Sequence, residues 1–294
     1  MQYAVYAPTF NDYGEPARLI ELAQCAERAG YDGFFIWDHL VLEGNGRLEV
    51  VDATVMLGAL AQATQRLRLG AMITPLARRR PWKLAKELAT LDRLSGGRIV
   101  LGVGLGEPAA LEFEAFGEDG SARGRAARLD EGLAIFDALV RGERLTHHGR
   151  HYQLQAAQLA PSATQRPRMP VWVAASLPAQ AGVRRAARWD GVFPVRVPQS
   201  ILDGAPVTAL DWSQWWLQPK DFVSLLAELA SYRTVSTSFD VLASGRVGHW
   251  PAAQARAHVA AYAAAGASWW CEWVDESPGT FAQTLAAIER GPPR

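Results

Sequence analysis

The chain has 294 residues, 49% hydrophobic and 20% charged, with 30 basic and 30 acidic side chains and no net charge. That balance is ordinary for a globular protein and gives no electrostatic basis for binding nucleic acid or an anionic membrane surface. No apolar stretch approaches a membrane span, the N-terminus lacks a basic region followed by an apolar run, and the only cysteines, Cys25 and Cys271, are far apart. A cytoplasmic protein with reduced thiols is the expectation.

In chain order, residues 3–7 form a first predicted strand. A helix follows over 15–29, with Leu19, Ile20, Leu22, Ala23 and Ala26 on one side and Gly30 closing it. A strand at 32–37 and a helix at 51–63 come next. Residues 67–74 are a short apolar run fit for a strand buried on both faces. Pro75 ends it, and Pro81 suits a first helical turn, where its missing N–H costs nothing. Leu84, Ala85, Leu88, Leu91 and Leu94 then recur on one helix face. Ser95-Gly96-Gly97 stops that helix, since glycine tolerates a left-handed cap. Residues 98–103 are another buried run, and two such strands joined by a helix make a parallel, right-handed βαβ unit. Then come a helix at 122–140, a hairpin turn at 147–152, a strand at 170–175, a helix at 179–187, a strand at 191–194 and an irregular run at 195–218. Helix 221–232, strand 239–243, helix 252–264, strand 268–274 and helix 279–289 complete the pattern.

Eight strands, nearly all followed by a helix, predict an α/β fold, a TIM (β/α)8 barrel. We expect a single domain over 1–294 with insertions in the loops at the C-terminal face. A doubly wound sheet would need a glycine-rich phosphate turn after its first strand, and Ala7-Pro8-Thr9-Phe10 offers none. The run Gly102-Val103-Gly104-Leu105-Gly106-Glu107 matches a dinucleotide fingerprint only in part. Glu107 stands where glycine is needed, and the run follows the fourth strand instead of the first. The other reading is a glycine-edged strand end where backbone approaches a flat ligand, with residues 71–73 completing the wall.

In such a barrel the chemistry sits where strands end. The polar residues there are Asp38 and His39, Thr74, Glu107, Ser176, and Glu272 with Asp275. His39 has a side chain suited to proton transfer near neutral pH. Glu107 would qualify if partly desolvated. Asp38 either orients His39 or accepts loop N–H bonds. Glu107 could instead only favour the start of a short helix, and Ser176 could be a cap. Arg78-Arg79-Arg80 reads as a solvated loop, with reach to an anionic cofactor tail as the alternative. Trp212, Trp215 and Trp216 could cap a pocket or simply pack, whereas Trp172, Trp269, Trp270 and Trp273 read as packing. His147, His148 and His151 share a turn with no cysteine or carboxylate, and adjacent histidines in extended chain point apart, so no metal site is expected.

The segments 30–40 (GYDGFFIWDHL) and 68–107, with VWVAAS at 171–176 and RWDGVFP at 188–194, resemble the bacterial luciferase-like monooxygenase family. The likeness runs through nearly the whole chain in matching order. It implies a TIM barrel that binds reduced FMN or the deazaflavin coenzyme F420 across its C-terminal mouth. By resemblance, Asp38 and His39 occupy the Asp-His position of deazaflavin-dependent members, and His39 the site of the luciferase catalytic histidine. Met72-Ile73, before Thr74, matches a strand end where members often have a non-proline cis peptide under the flavin. Glu107 matches an acid used in proton transfer. Ala174, Ala175 and Ser176 match backbone near the cofactor side chain and phosphate, and Gly191-Val192 a strand also near that phosphate. Gly104 would belong to the wall against the ring. Leu40-Val41-Leu42-Glu43 replaces the Pro-Trp that some F420 dehydrogenases carry after the Asp-His.

The resemblance implies either monooxygenation of a small organic substrate with reduced FMN from a separate flavin reductase, or hydride transfer to or from F420 with His39 and Glu107 handling protons. A flavin-binding barrel without turnover is the third reading. A homodimer or tetramer is expected in each case.

Overall fold

The computed structural model describes residues 1–44, 46–198, 212–234 and 237–294. Among these, the apolar runs form a ring of eight parallel strands. They are β1 (Gln2–Ala7), β2 (Gly33–Ile36), β3 (Arg68–Ala71, resumed at Thr74–Pro75), β4 (Leu101–Gly104), β5 (Val171–Leu177), β6 (Gly191–Arg196), β7 (Asp240–Gly245) and β8 (Trp269–Trp273). The order round the ring is β3-β2-β1-β8-β7-β6-β5-β4 and back to the second half of β3. β3 is split at Met72-Ile73, whose peptide bond is cis. Its first half pairs with β2, its second with β4, and Leu69 also bridges Ile99, so the ring closes.

Each strand leads to a helix on the outside: α1 (Pro16–Arg28), α2 (Ala53–Ala63), α3 (Pro81–Leu94), α4 (Ala122–Val140), α5 (Gln180–Ala186), α6 (Pro219–Tyr232), α7 (Ala252–Ala264) and α8 (Phe281–Glu289). α3 shows how local sequence decides this. Pro81 opens it, Leu84, Ala85, Leu88 and Leu91 bury one face, and Gly96 and Gly97 leave it at φ +69° and +86°. Burying each such leucine stabilises the fold by about 1.5–3 kcal/mol.

Side-chain alternation along the strands separates two cores. One lies between strands and helices and includes Val5, Leu19, Phe34, Leu88, Leu101, Val173 and Trp270. The other fills the barrel lumen with Phe35, Met72, Trp172, Phe193, Leu242, Trp269 and their neighbours. At the bottom, Phe35, Trp172 and Trp269 meet at steep interplanar angles of 57–72° with ring centroids 5.2–6.1 Å apart. Asp240 accepts both indole N–H groups, from Trp172 at 3.1 Å and Trp269 at 3.0 Å. Burial raises the Asp240 pKa in spite of these bonds. Above this layer Tyr6 touches Trp37, Phe193 and Trp273 at 5.0–5.9 Å. These rings floor the open end of the barrel.

The expected elements are all present, with shifted ends. β5 and β7 run two residues further than expected, toward the mouth. The hairpin pairs Leu145–His148 with Gln153–Ala157 and follows α4, against the outer helices. Its Tyr152 ring meets Trp82 at 6.0 Å. His147 Nε2 lies 3.0 Å from Glu131 and His148 Nδ1 3.1 Å from Gln153, so these two imidazoles are engaged separately. Among the described residues, no three His, Cys, Asp or Glu side chains are placed to hold a metal ion.

Candidate active site

The loops after β1, β2, β4, β6 and β8 rise around the floor and enclose a cavity of about 630 Å³ at the C-terminal mouth. Of the residues singled out from sequence, Asp38, His39, Met72, Ile73, Glu107, Ala174 and Ser176 line it. Thr74, Gly104, Ala175 and Gly191 do not.

The physical reasons for those four differ. Thr74 is buried in the pairing of β3 with β4, opposite Val103. Ala175 faces outward, where a Cβ on Gly182 of α5 would come within 2.8 Å of its Cα. Gly191 sits at the bottom of β6. A Cβ there would meet Trp172 at 2.5 Å and the Asp240 carbonyl at 2.8 Å, so only glycine fits beneath the lumen tryptophans. At Gly104 a Cβ would run into the Ile73 side chain and lie 3.2 Å from Ala174 Cβ. Gly102 is likewise closed off by Ala71 and Met72. The strand-four glycines therefore admit the third strand's end, and Ile73 provides the surface that the glycines were expected to provide.

The charged residues beside His39 form one connected group. His39 Nδ1 lies 3.1 Å from Glu112 Oε1, and the Leu40 backbone N–H donates to the same oxygen at 3.0 Å. The other Glu112 oxygen accepts from Arg78 Nη1. Arg78 Nη2 donates to Asp38 Oδ1 at 2.6 Å, and Arg79 donates to both Asp38 oxygens at 2.8 and 2.9 Å. The side chains of Arg78, Asp38 and Glu112 are 3%, 4% and 0% exposed. Arg78-Arg79 is thus no solvated loop. Two guanidiniums balance two carboxylates out of water, the condition under which buried charge is tolerated. Arg80, by contrast, is exposed, with its guanidinium over Trp82 at 5.8 Å.

Burial alone would raise the Glu112 pKa. The His39 hydrogen bond, the Arg78 charge and the Leu40 N–H outweigh it and hold the carboxyl below its ordinary range. A carboxylate can only accept, so the proton of neutral His39 belongs on Nδ1. Nε2 is then the basic nitrogen of a ring that lines the cavity.

Glu107 behaves differently. Its side chain is 55% exposed, pairs with Arg125 at 2.9 Å and accepts from the Ala109 N–H at 3.0 Å. More than half of its side chain is open to solvent at the cavity rim. Glu272 is also not at the mouth. It points into the strand–helix core and accepts from the Val247 and Gly248 N–H groups and the Trp270 indole at 2.7–2.9 Å. Burial lifts its pKa to about 6. Asp275 lies at the rim and pairs with Arg246 at 3.4 Å.

On the far wall, three strands round the ring from β2, Ser176 and Gly182 line the cavity with Arg185, which holds Asp130 in a two-bond pair at 2.8 and 2.9 Å. Trp215 lines the cavity, and the Trp216 ring meets Trp273 at 6.1 Å. Residues 199–211 of the expected 195–218 run, and the Trp212 side chain, lie outside the described residues.

Sequence reasoning missed Glu112 and Tyr6, whose hydroxyl donates to the Met72 carbonyl, and read Arg78 as part of a solvated loop. The available signal was a triple arginine after β3, which needs counter-charges if any of it is buried. Residues 107–119 offer Glu107, Glu112, Glu114, Glu118 and Asp119, and spacing alone does not choose among them.

The chain is similar to known proteins in sequence and in fold. It is 35% identical over 176 residues to an F420-dependent glucose-6-phosphate dehydrogenase of Microbacterium testaceum, covering 59% of this chain and 51% of that protein. It is 37% identical over 171 residues to one of Beutenbergia cavernae, covering 55% and 48%. The chain thus spans about half the length of the curated relatives it matches. Among solved structures it superposes on the coenzyme F420 dependent tetrahydromethanopterin reductase of Methanopyrus kandleri with a TM-score of 0.72, at 16% identity, over 99% of this chain and 98% of that one. The monooxygenase RslO1 of Streptomyces bottropensis gives 0.70 at 20% identity over 98% and 96%. Each confirms the TIM-barrel fold. The family model for luciferase-like monooxygenases matches residues 1–202, well over half of the chain, and this protein belongs to that family.

Proposed function

We propose that this protein is an oxidoreductase that binds coenzyme F420 in the mouth cavity and couples it to the oxidation or reduction of a small molecule. The observation that carries this reading is the His39–Glu112 pair, which leaves Nε2 as the basic nitrogen of an imidazole lining a largely apolar cavity. The sequence relatives named F420-dependent support it.

The residues present suit such a cofactor. The aromatic floor and Ile73 offer flat apolar surface for a fused ring, and the cavity continues past Ala174 and Ser176 to Gly182, room for a polar side chain. Bound there, a deazaflavin supplies a two-electron hydride acceptor or donor. The protein supplies the proton step and the positioning. With Nδ1 held by Glu112, His39 Nε2 removes the proton of a substrate hydroxyl, or returns one to a carbonyl in the reverse direction. Arg78 and Arg79 hold Asp38 and Glu112 in place through charged hydrogen bonds, so the imidazole does not swing. Asp38 acts through Arg78 and Arg79, which its carboxylate binds, so its role is positioning. Glu107 anchors the loop through Arg125.

The second reading, FMN-dependent monooxygenation supported by a separate flavin reductase, is favoured by the family model and the likeness to RslO1. In that case His39 would serve as proton donor near the oxygenated site. Titrating the protein with oxidised F420 and with FMN separates the two. Saturable F420 binding and reduction with a substrate alcohol support the first reading. Binding of FMN alone, with oxygen uptake in the presence of a flavin reductase, supports the second. Tight binding without turnover of any reductant would make the barrel a binding module.

A further inference from the structure

A second cavity, of about 360 Å³, lies between α4 and α5 on the outside of the barrel. It is lined by Asp130 of α4, by Ala181, Arg184 and Arg185 of α5, and by Arg188 in the turn after α5. Ala181 and Arg185 also line the mouth cavity, so the two spaces share a wall. We infer that this groove is a binding site for a small polyanion, a ligand carrying two or more carboxylates or phosphates. The inference does not depend on which cofactor the mouth holds.

The groove follows from residue spacing. Ala122, Ala126 and Asp130 stand four residues apart on one face of α4, and the first two line the mouth. Ala181, Arg184, Arg185 and Arg188 stand at i, i+3, i+4 and i+7, one face of α5 continued into its final turn. Small side chains therefore leave space beside the mouth. Guanidiniums occupy the next stretch, roughly 5–10 Å further along the helix at 1.5 Å per residue.

Positive charge is in excess there. Three guanidiniums face one carboxylate, which leaves two positive charges for a ligand to match. Asp130 Oδ1 accepts from Arg185 Nε and Arg188 Nη2, each at 2.8 Å, and its Oδ2 accepts from Arg185 Nη2 at 2.9 Å. Burial alone would raise the Asp130 pKa. The Arg185 bond and charge, with the Arg188 charge, outweigh it and hold the carboxyl below its ordinary range. Each guanidinium has five N–H donors, of which Arg185 spends two and Arg188 one on Asp130. Among the described residues Arg184 pairs with no carboxylate, and its guanidinium stands over the Tyr232 ring at 5.9 Å. The Arg185 side chain is 8% exposed and that of Arg188 63%. One cation is thus fixed at the base of the groove while Arg184 and Arg188 reach its open side. Planar guanidinium forks in that arrangement suit the paired oxygens of carboxylates and phosphates.

Isothermal titration of the whole protein tests this, with citrate and tripolyphosphate as probes and acetate as the monovalent control. Ionic strength is held at about 0.15 M, where exposed charges more than about 8 Å apart are largely screened. The expected result is saturable binding of a polyanion with a dissociation constant below about 1 mM, and none of acetate. Arg184→Gln with Arg188→Gln, both at exposed positions outside the mouth, should weaken it by at least about 10-fold, as loss of charged hydrogen bonds does. Asp130→Asn removes the competing carboxylate and should tighten binding by about 2–5-fold, a gain that a purely structural ion pair would not give. Preference for citrate would mark a carboxylate-bearing ligand, and preference for tripolyphosphate a phosphate-bearing one. Absence of saturable polyanion binding, or equal affinity in the folded double variant, overturns the inference. If the double variant does not fold, Asp130→Asn decides, and unchanged or weaker binding there overturns it.

Discussion

Two carboxylates on one loop show how context assigns roles. Glu107 and Glu112 both follow β4, five residues apart. Glu107 is half in water, paired with an arginine and anchored to a backbone N–H. Glu112 is fully buried, shared between His39, Arg78 and the Leu40 N–H. Residue type is identical, and the difference lies in which arginine reaches each and how much water is excluded. The short helix Ala109–Glu112 creates it by carrying the chain from the rim back under the β2 loop. A carboxylate's place in the chain order says little about its chemistry when one helical turn can move it from solvent to core.

That contrast can be broken at several points, from the largest expected effect downward. His39→Ala removes the proton acceptor while leaving the cavity floor intact. We expect kcat to fall by about 10²–10⁴ with cofactor affinity within a few fold, as general-base losses do. Stopped-flow turnover and a separate binding titration check it, and unchanged turnover would remove His39 from the mechanism.

Arg78→Ala leaves Asp38 with one partner and Glu112 with a buried charge lacking its guanidinium. A loss of about 3–5 kcal/mol of stability is expected from breaking a buried pair on one side. Denaturant unfolding should show it, whereas Arg80→Ala, at an exposed site, should change stability by less than about 0.5 kcal/mol.

Gly104→Ala puts a methyl group into the Ile73 side chain. Overpacking of this kind costs about 1–3 kcal/mol. Here the position lies outside the cavity, so the variant should lose stability with cofactor affinity falling only as far as Ile73 is displaced. A large affinity loss at unchanged stability would return Gly104 to the ligand wall.

Glu112 also has a pH signature. Its folded pKa is depressed, so its ionised form contributes stability above the ordinary carboxylate range, and that contribution is lost as pH falls through the lower folded value. Glu112→Gln should flatten the acid limb of the stability curve, measured by unfolding at successive pH values, whereas Glu107→Gln, at a half-exposed carboxylate whose partner Arg125 keeps its bonds to the Gly106 and Gly120 carbonyls, should change it by less than about 1 kcal/mol.

Much of the fold was legible because barrel strands are buried on both faces and so read as unbroken apolar runs. The 67–103 stretch shows it, with its prolines and glycine pair marking each end. The mouth was located for the same reason, since strand ends follow from strand limits. Asp38 and His39 could be picked because they directly follow β2. Glu112 could not, because its role depends on a chain reversal at residues 107–112 and on an arginine from another loop. Gly104 and Gly191 show the opposite side of the same difficulty. Close backbone approach to a ligand was expected at Gly104 and a cofactor phosphate near Gly191, and the groups that a Cβ would meet there are Ile73 and Trp172, parts of the protein itself. Glycine reports a lack of space and is silent on what occupies it.

The central claim is that Glu112, and not Glu107, is the partner that fits His39 for proton transfer. Its most direct test is the pH dependence of kcat at saturating cofactor for Glu112→Gln beside Glu107→Gln. A fall of about 10–100-fold with a displaced pH profile for Glu112→Gln, and a change under about 3-fold with the profile kept for Glu107→Gln, is the expected pattern. The reverse pattern would contradict it and give the proton chemistry back to the exposed rim carboxylate.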